Sequence, residues 1–138
     1  MLKSGISTNL YAHLDSSFPL TTQTLTSTGL GVALEPNSSY EFRLTFTSTD
    51  GGDNLRFKLV YTGSFTKASL FYDTSSGILA AFSIAGTYAP TSEDAVTVWG
   101  YLRTSTAGKF ELQARKDTLL SGDATLITGG AHMIARKL

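Results

Sequence analysis

Hydrophobic and polar residues alternate with a period of two along much of this chain. From Tyr40 to Phe46, in Tyr40-Glu41-Phe42-Arg43-Leu44-Thr45-Phe46-Thr47-Ser48, every even position is large and apolar and every odd one polar, as expected of a half-buried strand. Asp50-Gly51-Gly52-Asp53-Asn54 supplies turn chemistry, and Leu55-Arg56-Phe57-Lys58-Leu59-Val60-Tyr61 resumes the alternation. The two runs therefore predict an antiparallel hairpin with Leu55, Phe57, Leu59 and Tyr61 facing inward. Further strands are predicted at Ala68–Tyr72, Gly77–Ile84, Ala95–Thr104, Lys109–Arg115 and Ala131–Leu138, with Leu20–Leu25 and Leu30–Leu34 upstream. Val96, Val98 and Leu102 alternate with Thr97, Trp99, Tyr101 and Arg103 in a strand expected to be covered on both faces. In the last two, Phe110, Leu112 and Ala114 point inward, and Met133, Ala135 and Lys137 stand opposite His132, Ile134 and Arg136. Gly29-Leu30-Gly31 reads as a turn, as does Glu35-Pro36-Asn37-Ser38 with Pro preset at its second position.

No twelve-residue window carries a convincing 3.6-residue period. About eight short strands separated by Gly, Asn, Asp and Ser turns predict an all-β fold, a single antiparallel β-sandwich, jelly-roll-like. Residues 15–138 form this domain. Residues 1–14 fit no strand cleanly and read as an extended N-terminal arm. Its apolar residues Leu2, Ile6, Leu10, Tyr11 and Leu14 are candidates for contact with a neighbouring subunit, against the plainer alternative of a frayed terminus.

Composition narrows the function. A chain of 138 residues and 14.7 kDa can bury about two thirds of its unfolded surface, enough for one core without staples. With no cysteine there are no disulfides, thiol nucleophiles or Cys-type zinc sites. Eleven Lys+Arg balance eleven Asp+Glu, which argues against nucleic-acid and anionic-membrane partners, since both require a surplus of positive charge. The apolar run Ile78–Ala81 is too short to span a bilayer, and Met1-Leu2-Lys3-Ser4-Gly5 opens no apolar run expected of a signal peptide.

Catalytic chemistry is sparse. His13 and His132 are the only histidines, so neither a metal site nor a cofactor is expected, and His132 reads as a half-buried packing residue. Glu93-Asp94 cannot form a glycosidase dyad alone, because adjacent strand residues point to opposite faces. Asp50, Asp53 and Asn54 lack calcium-loop spacing and read as a turn. Asn37-Ser38-Ser39 matches a glycosylation sequon, but a turn explains it as well. No nucleophile elbow, phosphate loop or dinucleotide fingerprint occurs. An enzyme is not expected.

Charged residues make up 16% of the chain, against about 25% in an average soluble domain, and 20 Thr and 16 Ser fill the gap. Ser16–Leu34 and Thr74–Ser92 carry no charge at all. The second contains Gly77–Ile84, an aggregation-prone window that must be covered, either as a central strand or against another subunit. The first would be a hazard at a free sheet edge, which homo-oligomerisation removes. Residues before Arg103 sum to −3 and the rest to +3, a polarity usable in head-to-tail contacts around a ring, though the halves could equally neutralise each other within one sandwich.

Three segments of the last third carry a resemblance: Gly108-Lys109-Phe110-Glu111-Leu112-Gln113-Ala114, Ser121-Gly122-Asp123-Ala124-Thr125-Leu126-Ile127 and Gly129-Gly130-Ala131-His132-Met133-Ile134-Ala135-Arg136-Lys137-Leu138. Together with the runs from Tyr40 to Tyr61, they resemble virion structural proteins of tailed phages, of the β-sandwich capsid decoration (cement), head-fibre or tail accessory type. His132-Met133 stands where that family commonly has Trp. The resemblance implies a non-enzymatic virion protein, assembled in the host cytoplasm. Its first form is a trimeric decoration protein that clamps the major capsid protein, or another virion protein, and stabilises the head. The alternative is a carbohydrate- or receptor-binding module of a tail or head fibre, with Trp99, Tyr101, Tyr72 or Tyr88 stacking on a sugar.

Overall fold

The computed structural model describes residues 9–47, 55–74, 79–82, 95–116, 125–127 and 130–138. Among them are eleven strands and no helix: β1 (Asn9–His13), β2 (Phe18–Leu20), β3 (Thr26–Leu34), β4 (Ser39–Phe46), β5 (Leu55–Tyr61), β6 (Phe65–Thr74), β7 (Leu79–Phe82), β8 (Val96–Thr104), β9 (Gly108–Lys116), β10 (Thr125–Ile127) and β11 (His132–Lys137). A six-stranded sheet runs β1-β11-β4-β8-β6-β7, a three-stranded sheet runs β3-β9-β5, and β2 pairs with β10. Every pairing is antiparallel. Strands β3, β4, β5 and β6 alternate between the two larger sheets. The returning β8 then inserts between β4 and β6, and β9 between β3 and β5. That nesting is the jelly-roll winding.

Alternation places the core between these sheets. Tyr40, Phe42, Leu44 and Phe46 of β4 and Val96, Val98 and Leu102 of β8 are buried on one side; Phe57 and Leu59 of β5 and Phe110 and Leu112 of β9 are buried on the other. Each such side chain contributes about 1.5–3 kcal/mol on full burial. Rings meet edge-on across the layers, Phe42 with Phe110 at 4.7 Å and Phe46 with Phe57 at 5.0 Å between centroids.

The predicted Tyr40–Tyr61 hairpin is not formed: β4 belongs to the six-stranded sheet and β5 to the three-stranded one. Alternation fixes which face of a strand is buried, not which strand lies beside it. Eight residues separate Phe46 from Leu55, beyond the two to five of ordinary hairpin loops. With β4 and β5 in different sheets, Phe46 and Phe57 face one another across the core instead of lying side by side.

Three other expectations change. Gly29-Leu30-Gly31 lies inside β3, where the register with β9 shifts between Ser27 and Gly31 and Gly29 takes φ +83°; it is a bulge. The predicted Leu20–Leu25 strand does not form beyond Leu20, which ends β2 (Phe18–Leu20), because local bonds replace a ladder there: Thr22 Oγ1 donates to Thr24 O at 3.1 Å and Thr26 Oγ1 to Thr24 O at 3.0 Å. Asn9–His13 is the end strand β1 of the six-stranded sheet, in register with β11. Leu10, Ala12 and Leu14 pack on the domain's own core, so the arm cannot extend to residue 14. Alternation was present there, but alanine at position 12 makes it faint. Leu2 and Ile6 lie outside the described residues.

The Glu35–Ser38 turn forms as expected, with Asn37 at φ 50°. It is held by Thr104 at the end of β8, whose Oγ1 donates to Glu35 O at 2.5 Å and accepts from Ser38 N at 3.0 Å. Tyr40 Oη accepts from Glu35 N at 2.9 Å. On the outer side of the small sheet Glu111 is buried, taking Ser27 Oγ at 2.7 Å and Gln113 Nε2 at 3.1 Å, with Lys109 Nζ 3.5 Å away. Burial alone would raise its pKa; these donors outweigh burial and hold it below the ordinary glutamate range.

Candidate binding face on the six-stranded sheet

The outward-facing alternate positions of five strands share the outer face of the six-stranded sheet, and the register aligns them in rows. The central row runs Tyr11, Ile134, Arg43, Trp99 and Phe71 across β1, β11, β4, β8 and β6. One flanking row is Asn9, Arg136, Glu41, Tyr101 and Ser69, and the other is His13, His132, Thr45, Thr97 and Asp73. The chain thus sets its single tryptophan on a central strand with an arginine directly opposite on one side and a phenylalanine on the other. Trp99 and Phe71 are 6.2 Å apart between ring centroids and tilted by 31°. Phe71 remains 39% exposed and Tyr11 60%.

Two hollows open beside this row. One of about 470 Å³ is lined by Glu41, Arg43, Trp99, Ile134 and Arg136 among others. Arg136 ion-pairs with Glu41 along its rim. The other, of about 390 Å³, is lined by Arg43, Asp73, Thr97 and Trp99. Asp73 Oδ1 is shielded from solvent and has no hydrogen-bond partner, an unusual state for a buried acceptor. Tyr101 Oη, by contrast, is engaged with Ser39 Oγ at 2.9 Å, and Arg103 Nη1 donates to the same hydroxyl at 2.9 Å.

The sequence candidates divide accordingly. Trp99 and Tyr101 are on this face. Tyr72 is not: it alternates with Phe71 and packs partly buried against the core. Tyr88, Glu93, Asp94, Asp50, Asp53 and Asn54 lie outside the described residues. The strand carrying Trp99 is half-covered on its outer side rather than buried on both. His13 and His132, unremarkable in the sequence, are direct cross-strand partners, with His13 Nε2 2.8 Å from Asp15 Oδ1. Among the described residues no three His, Asp or Glu gather to hold a metal ion. Arg43 and Asp73 are thirty residues apart in sequence, and only the β4-β8-β6 order brings them to the same hollow, so the sequence does not single them out.

No protein-family model matches the chain, and no curated protein matches it. Its fold resembles a chain in the structure of infectious bursal disease virus, Gx strain, with a TM-score of 0.50 and 11% identity, covering 96% of this chain and 32% of that one. This chain therefore spans about a third of the viral chain's length, and what the two share is the β-sandwich fold.

Proposed function

We propose that this protein is a non-enzymatic structural component of a phage virion, a trimeric decoration protein that seats on the assembled head and stabilises it. The observation that carries the reading is the fold likeness, over nearly the whole chain, to a chain from a virus structure. The sheet ends support it. The charge-free stretches contribute β3 and β7, which are end strands in the described sheets, and neither carries the lysines or inward charges that normally blunt an edge. Residue-by-residue, β7 is an end strand where a central one was the plainer expectation, which favours coverage by a second copy. A protein that binds the assembled shell but not its dissociated parts stabilises the shell by mass action.

The arm's contact with capsid or neighbour is assigned to Leu2, Ile6 and the exposed Tyr11, with Leu10 and Leu14 holding β1 to the domain. Co-sedimentation with stripped heads, for the full chain and a chain lacking residues 1–8, tests this. Binding that depends on those residues and raises the temperature at which heads open supports it; unchanged occupancy removes the arm from the account. A second reading, a carbohydrate- or receptor-binding module of a tail or head fibre, is favoured by Trp99 standing on an open sheet face.

A further inference from the structure

The hollow between Trp99 and Asp73 has a chemistry of its own. From the geometry we infer that it is a saccharide site: a neutral sugar ring stacks on Trp99 beside Phe71, and its hydroxyls bridge the Asp73 carboxylate and the Arg43 guanidinium. This rests on the second reading above and is independent of shell binding.

The ligand class follows from the lining. A volume of about 390 Å³ is within the range of small-molecule sites. An anionic ligand would meet Asp73, and a cationic one Arg43. A neutral polyhydroxyl compound suits both, since each hydroxyl donates to a carboxylate and accepts from a guanidinium N–H. A sugar's C–H face supplies the apolar surface that an indole ring covers. An apolar protein surface laid over the same hollow would strip water from both charges and return no hydrogen bonds. Asp73 adds the second observation. Its Oδ1 is an acceptor without a donor, and rotation about χ2, a broad torsion in aspartate, presents either oxygen to a ligand. Thr97 places a further hydroxyl on the same wall.

Trp99 is the protein's one tryptophan, so its emission reports on the two hollows it lines, and Asp73→Asn, which alters only one of them, tells them apart. The test uses the full chain on an array of bacterial surface polysaccharides and O-antigen fragments, with each saccharide that binds then titrated free in solution by tryptophan fluorescence. Saturable binding with a shift in Trp99 emission is expected. Asp73→Asn should weaken it by about tenfold or more, as loss of a charged acceptor does. Trp99→Phe should weaken it, and Trp99→Ala abolish it, by calorimetry. Asp73→Asn keeps the side chain's shape and so separates binding from folding. The inference is overturned if no saccharide binds, if binding survives both Trp99→Ala and Asp73→Asn, or if Trp99 emission shifts with protein concentration alone, which would mean a second copy covers the face. Incorporation of Trp99→Ala into particles is read separately: normal incorporation without saccharide binding by the wild type overturns the sugar site and leaves the shell role standing.

Discussion

Thr104→Val should destabilise the domain although it creates no cavity. Thr104 is 1% exposed, and its hydroxyl joins the end of β8 to the Glu35–Ser38 turn that carries the chain from one sheet to the other. The one hydroxyl proton goes to Glu35 O at 2.5 Å, and the oxygen accepts from Ser38 N at 3.0 Å. Valine removes both bonds and replaces the hydroxyl with a methyl group. Ser38 is buried, so its N–H is left unpaired at a cost of about 1–3 kcal/mol. Glu35 is exposed, so its carbonyl recovers a water, and the added methyl offsets part of the loss. The net is about 2 kcal/mol. With an unfolding entropy of about 2.1 cal/mol/K per residue, that lowers Tm by about 7 °C. Urea denaturation followed by circular dichroism should show a lower midpoint at unchanged slope. Thr104→Ser retains the hydroxyl and loses only a buried methyl, so it should cost about 1 kcal/mol. A Thr104→Val protein within 0.5 kcal/mol of wild type, or one more stable than Thr104→Ser, would refute the role of the hydroxyl.

Other consequences can be measured on the same protein. A Cβ at Gly100 would lie 2.1 Å from Ser69 O and 2.9 Å from Leu70 Cα, backbone atoms of the neighbouring strand, so Gly100→Ala should force β6 from β8 and cost about 3 kcal/mol in chemical denaturation. Glu111 has a folded pKa below its unfolded value, so its contribution is complete above the unfolded pKa of about 4.3 and is lost as pH falls through the folded one. Stability measured from neutral to acid pH should fall less steeply in Glu111→Gln than in wild type. Phe46→Leu and Phe57→Leu should show a coupling of about 1 kcal/mol in a double-mutant cycle; strictly additive losses would contradict the edge-on contact of the two rings.

Faces were legible in the sequence and neighbours were not. The buried set Tyr40, Phe42, Leu44, Phe46 follows directly from alternation, as do Phe57, Leu59, Phe110 and Leu112. Period two carries no information about pairing: it suggests Tyr40–Phe46 as the neighbour of Leu55–Tyr61, whereas β5 pairs with β9. Topology is where that information resides, and in a jelly roll most pairings are distant in sequence, as between β3 and β9. The bulge at Gly29 was hidden because two glycines two residues apart suit a turn equally well. At the candidate site, Trp99 and Tyr101 are visible in the sequence as aromatics sharing a strand face with Thr97 and Arg103. Arg43 and Asp73, the companions of Trp99, look like ordinary solvated charges until the β4-β8-β6 order sets them on either side of it.

A chain with the proposed structural role travels with the particle. The most direct test of that role is quantitative mass spectrometry of density-gradient-banded phage particles from a lysate that expresses the chain. A trimeric decoration protein should appear in the banded particles at a fixed copy number divisible by three and, when released intact, have a native mass of about 44 kDa, three times 14.7 kDa. A chain abundant in the soluble lysate and absent from banded particles would contradict that role.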